Sequence, residues 1–595
     1  MTERPIARDV LARDRFSRLF SLGDRKNPSS WAPGLIISEI DPILPVSIAP
    51  LQCNLDSSSI PSELEISTRA NICYPFDSLD SWKMSQGLTL PPSLVDSDSG
   101  EFGSGLEVLP VTWNSLHHDQ LLLKIETQPS LIPILDAPQL SANTGMLERA
   151  ILTVRTRFPA SLIWTPGISG PDNCALLAWM GVDIFDLARS RQASSLGVLL
   201  TETGPREVEP STDEDATMES QCETWVQSIS ATRSAIRDGS LRELAERQST
   251  SSPRSVEHLR RHDNISYHFS KQAGLTSSSV GVGRKLRCHS YESRNDITIR
   301  NWRERVSEYH EPPSHQRGTL VLLPCSAKKP YKLSQSHGRF RRSIRNSLVH
   351  EVMVTAPLGL VPRELEDLWP AAHYDIPVTG DWDHDELEVI RRMLTRFVER
   401  VGYSTVINHS GVDVYLAGSE VIDTRLGETA GSRDSLRRLE ESIDSTVGGT
   451  GDKGQNFNVR LEILKSISRF QYGSDEWLEG CIVRGRPPIL TISKQDMQMA
   501  KWDPRRGRFI FSKYSLSILN ELGILKRAEL RKDVDLVGDI FPSYLEYHDP
   551  LINSGDELLV LQGGNLIGSA RAVAPGWEWP HGPGKLAKSR HRIRP

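Results

Sequence analysis

The sequence lacks the features that direct a chain out of the cytosol. No run of 18 apolar residues occurs in its 595 positions, and the N-terminus, MTERPIARDVLARDRF, has no apolar signal-peptide core. The seven cysteines are scattered, and no two of them form a C-x-x-C pair. Such spacing is typical of a reducing compartment and argues against a disulfide framework or a thiolate zinc site. We therefore expect a cytoplasmic protein with no membrane segment and no metal.

The chain also lacks an overall excess of positive charge and any repeat of solenoid period. Its 70 Lys and Arg against 76 Asp and Glu give a net charge of -6, which by itself predicts nothing about nucleic acid. Locally concentrated charge can still bind phosphate, because such contacts act over about a Debye length. With 38% apolar and 25% charged residues, a chain of 595 residues is expected to form about three or four globular domains.

Positive charge is concentrated in the stretch 318–345, GTLVLLPCSAKKPYKLSQSHGRFRRSIR. An apolar run at 320–323 predicts a buried strand that ends at Pro324, and Cys325 follows it in a loop. From 328 to 345 there are seven Lys or Arg and no Asp or Glu. A nucleophile at the carboxyl end of a strand, within a cationic field, is typical of α/β active sites for anionic ligands. The local alternative is a solvated basic turn with an incidental cysteine.

Alternating strands and helices predict an α/β domain around this stretch. A helix is predicted over 383–401, with Asp383 as N-cap, Glu386 three residues later and one apolar face. The accompanying strands are predicted at 352–355, 405–408 and 412–416.

Other segments show coarser signals. Residues 158–204 follow a βαβ order, 205–220 read as a loop, and a helix follows from Trp225 with a weak point at Gly239. The sequence GGN at 563–565 predicts a hairpin turn between two short strands.

The stretch around Cys325 carries a long signature: PC, three residues, KPY, two residues, S, two residues, H. It consists of Pro324, Cys325, Lys329, Pro330, Tyr331, Ser334 and His337. With this signature the chain resembles archaeosine synthase, the archaeal enzyme that modifies a deazaguanine base already installed in tRNA. Residues 355–382 also resemble the core of that family. Residues 158–204 and 239–244 resemble its transglycosylase-derived N-terminal half, and 549–592 resemble a PUA domain.

The resemblance implies a multidomain α/β and α+β chain. Its parts are a degenerate transglycosylase-like domain (1–265), a linker (266–314), a catalytic α/β core like that of uracil-DNA glycosylases (315–425), a second linker (426–455), a small α+β domain (456–525) and a PUA β-barrel (526–595).

The N-terminal half departs from a working transglycosylase, which needs an aspartate nucleophile and usually a zinc site of three cysteines and a histidine. Near the expected zinc position only Cys222 stands. The segment DSDSGEF at 96–102 lies in a low-complexity loop, and Asp183 and Asp186 are interpreted as strand-end and cap residues. We therefore expect a non-catalytic domain that serves docking or architecture.

The resemblance implies that an amine, lysine being expected as co-substrate, is added to the nitrile of 7-cyano-7-deazaguanine in the tRNA D-loop, forming an amidine. Cys325 is the candidate nucleophile, its thiolate favoured by neighbouring cations, and His337 is the candidate proton carrier. Lys329 and Tyr331 would orient the nitrile or neutralise a phosphate, and Asp375 would hold the amine or orient His337. Ser334 completes the predicted catalytic set. Each has a structural alternative, and Trp369, Tyr374 and Trp382 are as compatible with a core as with base stacking.

The implied partners are tRNA and a radical SAM protein that completes the modification, with no cofactor; a homodimer stays open. Two other functions also stay open: base exchange by a transglycosylase, and a non-catalytic subunit that presents tRNA to a partner. The predicted tRNA-binding residues are Lys328, Arg339, Arg341, Arg342, Lys585, Lys588, Arg590 and Arg592.

Overall fold

The computed structural model divides the chain into two compact units of mixed α/β structure. The first unit contains residues 1–276, 537–554 and 572–588, and the second contains 277–536, 555–571 and 589–595. Side chains are described for residues 8–23, 26–53, 108–119, 122, 124, 128–277, 283–376, 382–448, 458–486, 489–579 and 581–593, and the backbone alone for 65–68, 81–83 and 123. The predicted multidomain, mixed α/β class is confirmed at this level.

The first unit begins with short strands and continues with helices. Its strands in this part of the chain are β1 (Arg8–Asp14), β2 (Ser17–Leu22), β3 (Ser30–Ala32), β4 (Gly34–Ser38), β5 (Leu51–Cys53), β6 (Glu65–Thr68), β7 (Ser81–Lys83), β8 (Leu131–Pro133), β9 (Leu162–Trp164), β10 (Ile184–Asp186), β11 (Val198–Thr201) and β12 (Gly204–Glu207). Its helices are α1 (Trp113–His118), α2 (Ala137–Ala142), α3 (Met146–Arg157), α4 (Cys174–Met180), α5 (Ala188–Ser195), α6 (Glu214–Asp238), α7 (Leu241–Ser249) and α8 (Pro253–Ala273).

A seven-stranded sheet forms the centre of this unit. Its order is β7-β6-β5-β4-β10-β9-β8, and the five strands from β5 to β8 in that order run parallel. These parallel strands are short, apolar and buried, as expected for strands covered on both faces. Their carboxyl ends therefore meet at one edge, where ligand sites of parallel sheets form.

Several predictions for the N-terminal half are confirmed. The strand, helix and strand predicted within 158–204 are β9, α4 and β10, and the predicted long helix is interrupted at Gly239, where α6 ends. The loop predicted over 205–220 is wrong at both ends, because 205–207 lie in β12 and α6 begins at Glu214. Asp213 caps α6 by accepting a hydrogen bond from the Ala216 N–H, so the polar residues there form a capped helix start.

The second unit contains a parallel sheet, an antiparallel sheet and the helices around them. Its strands up to 530 are β13 (Leu286–Arg287), β14 (Thr319–Pro324), β15 (Val349–Thr355), β16 (Gly359–Pro362), β17 (Tyr374–Asp375), β18 (Thr405–Asn408), β19 (Glu420–Asp423), β20 (Ile482–Arg484), β21 (Leu490–Lys494), β22 (Met497–Asp503), β23 (Arg508–Phe511) and β24 (Arg527–Leu530). Its helices are α9 (Ile297–Glu304), α10 (Gln335–Ile344), α11 (His384–Val401), α12 (Arg433–Val447), α13 (Val459–Tyr472) and α14 (Ser515–Glu521).

The five-stranded sheet of this unit has the order β16-β15-β14-β18-β19. The central strand β14 pairs in parallel with β15 on one side and with β18 on the other, and its residues 320–323 are fully buried. The chain first builds outward from β14 through β15 and then returns to its other side with β18. The carboxyl end of β14 is therefore at the point where strand order reverses, the usual place for a ligand site in an open α/β sheet.

The elements predicted around β14 are mostly confirmed. Helix α11 begins after Asp383, which forms a capping box with Glu386, and the strands predicted at 352–355 and 405–408 lie in β15 and β18. The strand predicted at 412–416 is wrong, because that segment is a loop and the next strand is β19. The Asn408 side-chain amide donates a hydrogen bond to the Val412 carbonyl at 2.8 Å. This carbonyl therefore has a side-chain partner in place of a neighbouring strand.

Both predicted linkers contain regular structure. The segment 266–314 includes the end of α8, β13 and α9, and its Ile299, Trp302 and Val306 are buried in the core of the second unit. The segment 426–455, interpreted from its sequence as a linker around a short charged helix, includes α12, whose Leu439 and Ile443 are also fully buried. The predicted domain boundaries themselves stay predictions.

The C-terminal segment carries β25 (Leu545–His548), β26 (Glu557–Gln562), β27 (Asn565–Ala572) and β28 (Ala587–Arg592). Strand β26 pairs with β24 in parallel and with β27 antiparallel, and the predicted hairpin turn lies between β26 and β27. Residues 526–595, predicted as one domain, are shared between the two units, and the PUA barrel stays a prediction. Within the described residues, no helix is long and apolar enough to cross a membrane.

Candidate functional site

Cys325 follows directly on β14, at the switch point of the five-stranded sheet. It is partly buried against the core, and its thiol hydrogen-bonds with the Thr355 hydroxyl at the end of β15. Burial raises the pKa of the Cys325 thiol, while the Lys329 charge and the Thr355 hydrogen bond act in the opposite direction. The prediction that cations favour the thiolate is therefore correct for Lys329 alone, and burial outweighs it.

Lys329 lies over the ring of Tyr374, with its Nζ 4.0 Å from the ring centre. Burial lowers the pKa of this amine, and the Cys325 sulfur and the Asp375 carboxylate oppose that shift. Burial thus shifts the pKa of the partly buried thiol upward and that of the partly buried amine downward, and each group opposes the shift of the other. The geometry therefore favours a Cys325–Lys329 pair as the reactive centre.

Tyr331 belongs to a buried group of hydroxyls beside this pair. Its hydroxyl hydrogen-bonds to that of Tyr374, which in turn lies 2.8 Å from the Thr355 Oγ1. Tyr331 is fully buried and Tyr374 nearly so, and burial raises the pKa of both phenols. The two phenols therefore stay protonated at neutral pH and can only serve as hydrogen-bond groups.

Ser334 and His337 position the helix that follows the signature loop. Ser334 is the N-cap of α10, and its hydroxyl accepts a hydrogen bond from the His337 N–H at 3.2 Å. The His337 side chain is buried, and its Nδ1 accepts a hydrogen bond from Arg363 at 3.0 Å. Burial and then the Arg363 charge lower the pKa of His337 to about 3. A histidine that stays neutral throughout the physiological range does not suit the predicted role of proton carrier.

Asp375 lies on β17 at the rim of the site, where its carboxylate pairs with Lys285 at 3.3 Å. Its negative charge raises the pKa of Lys329 and so opposes the effect of burial. The His337 ring is hydrogen-bonded to Arg363 rather than to Asp375, so the predicted orientation of His337 by Asp375 is not what holds that ring.

A cavity of about 320 Å³ borders the signature helix and contains residues that the sequence pattern did not single out. Arg363 lies at its wall and forms ion pairs with Glu351 at 2.6 Å and Glu366 at 3.1 Å. His337 and Trp502 also line this cavity. The stretch VPRELED carries a local signal for one of these ion pairs, since Arg363 and Glu366 are three residues apart in a helical turn.

Thr355 and Tyr374 were likewise not predicted as catalytic. Both lie within segment 355–382, which carries part of the family resemblance, but their proximity to Cys325 depends on pairing between β14 and β15 and between β13 and β17. No local periodicity contains that information.

The predicted tRNA-binding residues fall into two groups. Lys328, Arg339, Arg341 and Arg342 are exposed, and Arg341 also lines the 320 Å³ cavity. On β28, exposed positions alternate with less exposed ones, and the exposed residues are Lys588, Arg590 and Arg592. Lys585 is partly buried and pairs with Asp539 at 2.5 Å. Their contact with phosphate stays a prediction.

A second cavity, of about 180 Å³, lies at the carboxyl ends of β4, β5, β9 and β10 in the first unit. Asp186 lines it, and its carboxylate accepts hydrogen bonds from the Trp164 indole and from the Gly167 and Ala188 N–H groups at 2.8–3.0 Å. Asp41 is paired with Arg191. Both carboxylates are thus occupied by donors, which weakens them as nucleophiles.

The remaining N-terminal predictions have mixed outcomes. Asp183 precedes β10 and pairs with Arg155, and Asp186 ends the strand and caps the next turn, as predicted. The segment 96–102 lies outside the described residues. Cys222 is buried in α6, and in the described part of the chain no group of three candidate metal ligands includes it.

Comparisons with known proteins found one matching family model and relatives of two kinds. Residues 299–443 match a family model described as a domain of unknown function, DUF5591. The archaeosine synthase subunit alpha of Methanosarcina acetivorans is 27% identical over 76% of this chain and 78% of its own. The archaeosine synthase of Methanocaldococcus jannaschii is 28% identical over 71% and 72%. The tRNA-guanine(15) transglycosylase of Methanobrevibacter smithii is 26% identical over 44% and 39%.

The chain thus resembles two kinds of enzyme, synthases over most of its length and transglycosylases over less than half. The resemblance to archaeosine synthase, predicted from the signature that contains Cys325, is confirmed by these matches.

Proposed function

We propose that this chain is a tRNA-modifying transferase of archaeosine biosynthesis, which adds an amine to the nitrile of 7-cyano-7-deazaguanine in the tRNA D-loop. The observation that carries the proposal is the arrangement around Cys325, where the thiol, the Lys329 amine and the buried hydroxyls converge at the switch point of the sheet. The similarity to archaeosine synthases over about three quarters of the chain supports the substrate.

In the first step, the Cys325 sulfur attacks the nitrile carbon. A sulfur–carbon bond forms, one carbon–nitrogen π bond breaks, and the thiol proton ends on the nitrogen, giving a thioimidate. The Lys329 amine takes the proton from sulfur and delivers it to nitrogen, which suits an amine whose pKa is lowered by burial. The Tyr374 ring positions Lys329 for this transfer.

In the second step, the donor amine attacks the thioimidate carbon. The sulfur–carbon bond breaks, one amine proton returns to sulfur, and an amidine remains on the base. Lysine is the expected donor. Asp375, which is half exposed and already pairs with Lys285, has the charge and position to hold the ammonium group of such a donor.

The tRNA is proposed to lie on the exposed arginines of α10, with the C-terminal strands acting as a PUA-like RNA contact. Because one relative is named as a subunit alpha, we also propose a partner protein, of the radical SAM type, that cleaves the adduct. Homodimerisation and a cytoplasmic location are part of the same proposal.

The function is tested by incubating the full-length chain with tRNA that carries cyano-deazaguanine and with lysine, glutamine or ammonia, followed by nucleoside mass analysis. The expected result is a lysine adduct without any partner, retained in Cys481→Ala, which removes a buried cysteine outside the site, and abolished in Cys325→Ala. Adduct formation only in the presence of a partner would instead identify a non-catalytic tRNA-binding subunit.

A guanine-exchange assay on the same tRNA tests the transglycosylase alternative. The occupied carboxylates of Asp186 and Asp41 predict no exchange. Exchange by the purified chain would contradict the proposed non-catalytic role of the first unit.

A further inference from the structure

Two histidines and a glutamate converge in the core of the second unit, apart from Cys325. His310 precedes β14, His350 lies in β15, and Glu364 lies in the turn after β16. Their candidate ligand atoms all lie within 4.8 Å of one another, and the three side chains are almost completely inaccessible to solvent. No other group of three candidate metal ligands occurs in the part of the chain that the structure describes.

The distances within this group are close to those of a metal site. The His310 Nε2 is 2.8 Å from one Glu364 oxygen, and the His350 Nε2 is 3.2 Å from both. A tetrahedral zinc ion with bonds of about 2.0–2.2 Å holds its ligand atoms ~3.3 Å apart. An outward movement of a few tenths of an ångström therefore makes room for the ion, since both imidazoles already present the same nitrogen to one carboxylate.

The rings are held from outside in a way that suits ligands. The Nδ1 of His350 hydrogen-bonds with the Tyr403 hydroxyl, a contact that fixes which nitrogen faces Glu364. Tyr403 also stacks on His350 with an interplanar angle of 19°, and Phe397 stacks on His310 at 11°. Two ligands are thus fixed before any ion arrives, which reduces the entropy cost of binding.

The burial of the Glu364 carboxylate also favours the binding of a positive charge in this group. A carboxylate removed from water is costly unless it is paired, and a bound metal ion would place a positive charge directly on the Glu364 oxygens. Glu364, but neither histidine, lines the 320 Å³ cavity, so an ion and a water molecule as its fourth ligand would have to reach the group from the Glu364 side. Two histidines, one glutamate and an open position are the ligand set of many zinc centres.

We propose that His310, His350 and Glu364 bind one divalent transition-metal ion, with Zn²⁺ as the ion that this donor set suits best. The proposal departs from the expectation of no metal, which was based on the spacing of the cysteines, because this group contains no cysteine. It is independent of the proposed function, since its readout is metal content rather than turnover.

The direct test is elemental analysis of the full-length chain after purification without chelator. The expected content is about one zinc per chain in the wild type and at least tenfold less in Glu364→Gln, which keeps the shape of the side chain and removes its charge. Glu366→Gln is the matched control, because Glu366 is also buried and ion-paired but contacts neither histidine. Equal metal content in the two variants would overturn the proposal.

A second measurement covers the case in which Glu364→Gln folds poorly. Wild-type protein is stripped with chelator and titrated with Co²⁺ while its visible absorption is recorded. Saturation at one equivalent, with a d–d band that Zn²⁺ removes, is expected, and His409→Ala should behave in the same way because His409 is buried outside the group. A wild type that is metal-free as purified and silent to Co²⁺ would identify the group as a hydrogen-bonded triad.

Discussion

Ionisation of single residues around Cys325 is governed by burial more than by the number of nearby cations. Lys328 is exposed and Lys332 is paired with Asp367, so of these three basic residues Lys329 is the one whose charge reaches the thiol. The pKa of the thiol rises in spite of it. The predicted reactivity of Cys325 therefore depends on a proton acceptor at the site rather than on a preformed thiolate.

Replacing Lys329 tests that dependence. In Lys329→Met the cation is removed while burial remains, so the pKa of Cys325 should rise further. A higher pKa leaves less thiolate at pH 7.5, so alkylation of Cys325 should be slower in this variant. The rate is measured by mass analysis of the Cys325 peptide after timed treatment with iodoacetamide. Lys328→Met is the control. Equal alkylation rates in the two variants would contradict the electrostatic effect of Lys329 on Cys325.

His337 gives a prediction with a definite pH window. Its pKa in the folded chain is about 3, below the ordinary value near 6.5, so the unfolded chain binds a proton that the folded chain does not. The resulting stability is present above about pH 6.5 and is lost as the pH falls towards 3. Between pH 7.5 and 5 the wild type should lose about 2 kcal/mol more stability than His337→Asn, in which the amide oxygen can still accept from Arg363. The free energy of unfolding is measured with urea at the two pH values. An equal loss in the wild type and in His337→Asn would refute the low pKa of His337.

At the scale of elements, two glycines near the site predict opposite effects of the same substitution. Gly359 begins β16 with φ +73°, and an added Cβ would lie 2.2 Å from the Met393 sulfur of α11. Gly338 lies within α10 and has open space around it. Gly359→Ala should therefore destabilise the second unit by about 1–2 kcal/mol, and Gly338→Ala should stabilise it by about 0.5–1 kcal/mol. Calorimetry of both variants measures these changes in stability. Shifts of the same sign would show that backbone conformation does not determine the effect of alanine at these two glycines.

Elements with strong local signals were predictable, and those defined by distant partners were not. The apolar run of β14 and the capping box of α11 follow from a few adjacent residues. The segment 412–416 has an apolar pattern suited to a strand, yet the Asn408 side chain holds it as a loop. Helix α12 was predicted as a short charged helix within a linker, and its packing into the core was missed because the pattern is dominated by its charged residues.

The candidate site shows the same division. Its signature residues were predicted from spacing, whereas Thr355 and Tyr374 reach Cys325 only through strand pairing, and Arg363 reaches His337 through a turn. The metal-ligand group was invisible in the sequence, because His310, His350 and Glu364 are up to 54 residues apart.

At the scale of the whole molecule, an acidic chain is proposed to hold a polyanion through local clusters of charge. Arg339 and Arg342 are three residues apart in α10 and exposed, so they lie on the same face of the helix. Replacing both by alanine should weaken tRNA binding. The slope of log affinity against log salt concentration should also fall, by about one for each phosphate that the double variant no longer neutralises.

Fluorescence anisotropy over a series of salt concentrations measures that slope. Arg437→Ala is the control, because Arg437 is also exposed but is paired with Glu441 at 2.9 Å. A slope unchanged in the double variant would place the tRNA elsewhere on the molecule.

The central claim is that Cys325 bonds to the nitrile carbon, and it is tested most directly by mass analysis of the enzyme mixed with cyano-deazaguanine tRNA in the absence of any amine. After nuclease and protease digestion, the Cys325 peptide should carry the mass of the modified nucleotide, and the adduct should disappear when lysine is added. An unmodified Cys325 peptide, together with undiminished turnover in Cys325→Ala, would contradict the claim.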